Sequence, residues 1–249
     1  MFQTLKDVCQ SDVHVSSGRI GKIEQLITDD QNWVIRYICI SLNIPARKKV
    51  LISPCSVQSF NNSILNLGCP VEQLISAPHI DFPLSRDQEI DLHNHYKIPY
   101  YWDLPFFKNS LGKSVYPGIT SVFSCYSPEN TLSQKRQSPH SHLHGADELC
   151  NCRIMGINEE AGMIESILIN KDDWVIRYLL INAGCLLSGH LIPVSPLWIK
   201  AADWDDAEVY VNFKAKVIMS APELEQISDL DRDLEKRIYA YFDCPPYWK

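Results

Sequence analysis

Two stretches decide the fold, GKIEQLITDDQNWVIRYICIS at residues 21–41 and GMIESILINKDDWVIRYLLIN at residues 162–182. They lie 141 positions apart and share Trp-Val-Ile-Arg-Tyr at 33–37 and 174–178. That identity, with matched Gly, Ile and Glu upstream, marks a duplication within the chain. In each copy two apolar runs flank a polar cluster, Thr-Asp-Asp-Gln-Asn or Asn-Lys-Asp-Asp, which is the pattern of a β-hairpin. Val34, Ile38, Ile40 and Leu42 fall on one face of the stretch 33–42, with Trp33, Ile35, Tyr37 and Cys39 on the other. Apolar, β-branched and aromatic residues on both faces predict a strand buried on both sides.

The duplication extends beyond the hairpin. KVLISP at 49–54 answers to HLIPVSP at 190–196, and Ser76-Ala77-Pro78 answers to Ser220-Ala221-Pro222. SRDQEIDLHNHYKIPYYW at 85–102 parallels DRDLEKRIYAYFDCPPYW at 231–248. Each copy therefore spans about 95 residues, the size of a small domain. Further short strands are expected at 50–53, 64–67, 191–194 and 208–213. Ser85 followed by Gln88 reads as a capping box opening a helix to residue 96, and Asp231 caps its counterpart to residue 242.

The expected fold is mainly β: two small antiparallel β-barrels in tandem, each followed by a short helix and an aromatic-rich tail, in a pseudo-two-fold arrangement. The first barrel is assigned to residues 1–80, with its helix and tail at 81–102. A polar linker at 103–144 leads to the second barrel at 145–224, with helix and tail at 225–249.

The Gly-x-Ile-Glu start, the acidic strand turn, the Trp-x-Ile-Arg-Tyr strand and the closing Ser-Ala-Pro resemble the PRC-barrel domain. That family is named for the cytoplasmic domain of the photosynthetic reaction centre H subunit and also occurs in a ribosome maturation factor. The tandem form is similar to uncharacterised bacterial proteins holding two such barrels. The resemblance implies the barrel fold and a general role in binding macromolecules, with no shared catalytic motif.

Composition narrows the partners. Against 23 basic residues stand 30 acidic ones, for a formal charge of -7 in 249 residues. This balance argues against binding nucleic acid by phosphate neutralisation, and against anionic membrane surfaces. MFQTLKDVCQSDVHV at the start of the sequence has no basic flank before an apolar run, so no secretory signal is expected. The most apolar stretch, 174–199, is broken by Arg177, Asn182, Ser188 and His190, so no membrane insertion is expected. Nine scattered cysteines do not form the even framework of a secreted scaffold, and a cytoplasmic location is expected. Across the alignment Cys39 is matched to Leu180 and Cys55 to Ser195, which speaks against a shared cysteine chemistry.

Candidate site residues follow from the duplication. Arg36 and Arg177 interrupt apolar strands at the same place, either as interface charges or as structural arginines, with Glu24 and Glu165 as expected partners. Trp33 and Trp174 begin the shared pentapeptide. Tyr101, Trp102, Tyr247 and Trp248 close the tails and are expected to join the two halves, with a ligand platform or partner surface as the alternative. His140, His142 and His144 with Cys150 and Cys152 form the one constellation suited to metal, weakly so because a Cys-x-x-Cys pair is missing. His93 and His95 are expected to face solvent, as are the turn aspartates Asp29-Asp30 and Asp172-Asp173. No Gly-x-Ser-x-Gly, P-loop or Gly-x-Gly-x-x-Gly motif is present, and neither a catalytic residue nor a cofactor is assigned. The expected function is a non-enzymatic adaptor or assembly protein that binds a protein partner, with self-association left open. The alternative is a small-molecule or metal-binding protein using the linker His/Cys cluster or the inter-barrel groove.

Overall fold

The computed structural model describes residues 2–44, 48–80, 83–102, 142–182 and 191–248. His140, most of the assigned linker, Cys125 and Cys185 lie outside the described residues. The chain begins with β1 (Phe2–Thr4), α1 (Leu5–Val8), β2 (Asp12–Val15), β3 (Gly18–Asp29) and β4 (Val34–Leu42). There follow β5 (Lys49–Ile52), β6 (Val57–Asn61), β7 (Ile64–Leu67), α2 (Val71–Ile75) and α3 (Arg86–Tyr96). The second copy contributes β8 (Leu143–Gly145), β9 (Arg153–Met155), β10 (Glu160–Asn170), β11 (Val175–Asn182) and β12 (Ile192–Val194). It ends with β13 (Ile199–Asp203), β14 (Glu208–Val211), α4 (Ala215–Met219) and α5 (Arg232–Tyr241).

The protein is mainly β, with a large mixed sheet that is not closed. Antiparallel pairs were expected throughout, but β2 runs parallel to β7 and β9 runs parallel to β14. These two parallel pairs occupy equivalent places in the two copies.

The chain folds as two compact units, both discontinuous in sequence. The first comprises Lys6–Ala146 with Lys171–Val175, and the second comprises Met1–Leu5, Asp147–Asn170 and Ile176–Lys249. In the first unit β3 pairs with β4 along its length, while its other edge meets β2 and then β8. In the second, β10 meets β9 and then β1 in the same way. Leu143 stands opposite Asp29, and Phe2 stands opposite Asn170. The offset of 141 maps the one pair onto the other, so β1 and β8 are equivalent strands. Each completes the unit that the other half of the sequence builds.

Burial explains the paired hairpins. Val34, Ile35, Ile38 and Ile40 of β4 are fully buried, as are Tyr178, Leu179, Leu180 and Ile181 of β11. The two-sided burial expected for β4 is therefore present. Trp33 and Trp174 do not start the strands; both sit in the left-handed region, at φ 57° and 56°, as the last residue of each turn. In the first turn the Trp33 N–H donates to the Asp29 carbonyl at 2.7 Å, which tightens the chain before β4 opens.

The remaining expected elements fall within a residue or two of their places. Ser53 caps a 3-10 turn at Pro54–Ser56 and Ser195 caps another at Pro196–Trp198, each accepting a backbone N–H at 3.3 Å. This repeated cap aligns Ser195 with Ser53, so Cys55 corresponds to Leu197 and not to Ser195. The Ser85 capping box and the Asp231 cap both form.

Gly21 is required by close approach: a Cβ there would lie 2.3 Å from the Ser41 carbonyl oxygen. Gly21→Ala is expected to cost about 1–3 kcal/mol through forced separation of β3 and β4, measured by chemical denaturation.

Candidate functional site

The first unit buries a chain of polar groups that starts in the hairpin turn. Asp29 Oδ1 accepts the N–H groups of Gln31 and Asn32 at 2.9 and 3.3 Å. Its Oδ2 accepts Arg36 Nε and Nη2 at 3.0 and 2.8 Å. The Arg36 side chain is 0% exposed and that of Asp29 6%. Arg36 was expected to pair with Glu24 or to reach water, and Asp29 to face solvent; neither holds. Carboxylate and guanidinium satisfy each other because both are withdrawn from water. Glu24 pairs instead with Lys49 at the surface.

Tail and helix complete the cluster. The Arg36 guanidinium carbon lies 4.1 Å from the Tyr101 ring centroid. Tyr101 donates its hydroxyl to Glu89 Oε2 at 2.8 Å, and Tyr37 from β4 contacts the same oxygen at 2.9 Å. Arg86, one helical turn before Glu89, pairs with it at 3.1 Å and lies 4.1 Å over the Trp102 ring. His93 is not solvent-facing: it is 1% exposed, with Nε2 2.9 Å from the Tyr37 hydroxyl and Nδ1 2.8 Å from the Pro99 carbonyl. His95 is half-buried, with Nε2 2.7 Å from the Gln73 carbonyl.

The second unit repeats most of this arrangement. Tyr178 and Tyr247 donate to Glu235 Oε1, each at 2.8 Å. Arg232 pairs with Glu235 at 2.9 Å and lies 4.3 Å over Trp248. Arg177 is half-buried, its guanidinium carbon 4.3 Å from the Tyr247 ring centroid. Glu165 accepts from Asn182 at 3.0 Å. Position 170, equivalent to Asp29, is Asn, and position 239, equivalent to His93, is Tyr. Tyr239 donates to Ser195 at 3.1 Å. Each tail thus packs on the strand and helix of its own unit.

Counting hydrogens distinguishes the two clusters. The Pro99 carbonyl only accepts, so His93 carries its proton on Nδ1, and Nε2 of the neutral ring accepts. Tyr37 then has one hydroxyl hydrogen for two acceptors, His93 Nε2 and Glu89 Oε2. Tyr37 donates it to Glu89 Oε2. Burial pushes the Glu89 carboxyl up, against the pull of Arg86 and the two tyrosine hydroxyls. Burial also holds His93 down at about 4, against its hydrogen bonds to backbone. In the second unit Tyr178 and Tyr239 have separate acceptors, and the conflict does not arise.

The linker histidines approach a carboxylate. His142 Nδ1 lies 3.6 Å and His144 Nε2 3.5 Å from the two oxygens of Asp30. Cys150 and Cys152 belong to the other unit; Cys152 is buried and donates to the Glu148 carbonyl at 3.0 Å. Among the described residues no group of three or more His, Cys, Asp or Glu side chains could hold a metal ion. Burial raises the thiols of Cys39 and Cys55 to about 11, away from nucleophilic thiolates.

Glu89, Glu235, Arg86 and Arg232 were not among the candidate site residues, although the repeat marks them. The two tails share Arg-Asp-x-Glu immediately after the helix cap, at 86–89 and 232–235. Among the described residues no helix is long and apolar enough to cross a membrane. Compared with family models and with curated proteins, the chain matches none.

Proposed function

We propose that the chain is a non-enzymatic adaptor built from two PRC-barrel-like repeats in tandem, acting in the cytoplasm and binding a protein partner through its sheet surfaces. One observation carries this reading: in both units the shared helix glutamate is buried and takes hydrogen bonds from a strand tyrosine and a tail tyrosine, Tyr37 and Tyr101 on Glu89, Tyr178 and Tyr247 on Glu235. Groups kept in both copies and turned inward serve the scaffold. Recognition then falls to the solvent side of the sheets, where the copies have diverged. Among the described residues β6 pairs only with β7 and β13 only with β14, so in each unit one strand offers backbone groups to an added strand.

Affinity capture from an extract of the native cell tests the adaptor reading. One specific protein is expected to be retained repeatedly by the full chain. A well-expressed bait that retains none overturns it.

A further inference from the structure

The two repeats are controls for each other on the solvent face of the sheet. Strand register places Met155 beside Tyr210 and Tyr210 beside Ala201, one row across β9, β14 and β13. Met163 of β10 lies on the same face, opposite Arg153. In the first unit the equivalent row is His14, Asn66 and Ser59, with Lys22 at the place of Met163. Four polar positions of one copy are therefore apolar in the other. Met163 is 45% exposed and Tyr210 37%, so this apolar surface is not spent on the core. The fold does not require it either, since the first unit does without it. The one reverse exchange, Ile64 for Glu208, adds a charge to the second unit's face.

Charge changes along with polarity. On the second unit's face Arg153 stands among Glu160, Asp203 and Glu208, and is paired to Glu208 at 2.6 Å. At the places of Glu160 and Met163 the first unit carries Arg19 and Lys22. An apolar row edged by carboxylates complements apolar side chains edged by lysine or arginine. A second copy of this chain, packed face to face, would instead set carboxylates against carboxylates.

We infer that this face of the second unit docks a basic amphipathic helix of another protein. Neighbouring strands are about 4.8 Å apart, and residues three or four apart on a helix are about 5–6 Å apart. Successive apolar side chains of a helix thus fall on successive strands along the row Met155–Tyr210–Ala201. Methionine adapts its shape to such a partner. The inference rests on the adaptor reading and adds to it the place of docking and the chemistry of the partner.

The test uses the full chain and a fluorescent 18-residue peptide of leucine and lysine in helical period, with a leucine–glutamate peptide as control. The lysine peptide is expected to bind at least about tenfold tighter than the control. The triple variant Met155→His, Met163→Lys, Tyr210→Asn, which installs the first repeat's residues, is expected to weaken binding by about tenfold or more. Tyr210→Asn alone keeps the test valid if the triple variant melts early; it is expected to weaken binding several-fold. Equal binding of the two peptides, or unchanged binding by the folded variants, overturns the inference. So does a dimer in sedimentation that the triple variant dissolves, since the occupant is then a second copy. If wild type and triple variant capture the same partner from native extract, the docking site falls while the adaptor reading stands.

Discussion

Asp29→Ala is expected to lower the unfolding free energy by about 3–5 kcal/mol, because it leaves the buried Arg36 guanidinium without its carboxylate. The same substitution removes the acceptor for Gln31 and Asn32 in the turn, so the hairpin loses a clasp and an ion pair together. Arg36→Met added to Asp29→Ala removes the stranded cation and should recover at least half of the loss. Asp29→Asn should fall between, since asparagine keeps a turn acceptor and stands at the equivalent position 170. Urea denaturation of the three variants checks the order. A loss below about 1 kcal/mol for Asp29→Ala would show that the pair does not hold the fold.

Acid is expected to cost the protein about 3 kcal/mol of stability through His93 alone. The imidazole titrates near 4 in the folded chain against an ordinary value of 6.5. The unfolded chain therefore takes up the proton first, and the contribution is complete above 6.5 and lost as pH falls to about 4. Glu89 acts with the opposite sign. Its raised pKa makes the folded state the better proton binder just above the ordinary carboxylate range, which offsets part of the loss there. His93→Tyr installs the residue that the second repeat carries, and Ser53 stands where Ser195 accepts the Tyr239 hydroxyl. Denaturation midpoints from pH 7 to 4 should fall less in this variant than in the wild type. Parallel curves would assign the acid sensitivity to another group.

The hairpins and the helix starts were legible because each depends on residues close in sequence, and the duplication because whole stretches recur. Apolar, β-branched and aromatic residues on both faces marked β4, and Ser85 and Asp231 announced their helices. The left-handed Trp33 and Trp174 were hidden, since alternation records side-chain type and is blind to φ. The Asp29–Arg36 pair was hidden for a related reason: the register shifts between Ile27 and Thr28, which brings the end of β3 to a place that simple alternation does not give. His93 was misread because the buried face of α3 carries Glu89 and His93 beside Leu92 and Tyr96, so polarity did not mark the outside. The parallel pairs join strands about fifty residues apart, with no local signal.

The exchange of β1 and β8 sets a timetable for synthesis. Phe2 is made 168 residues before its partner Asn170. At about 5–20 residues per second, the first strand waits roughly 10–30 s for its place. The first unit waits as well, until β8 is made at the end of the assigned linker. The first unit cannot finish folding on the ribosome before the start of the second copy has been translated.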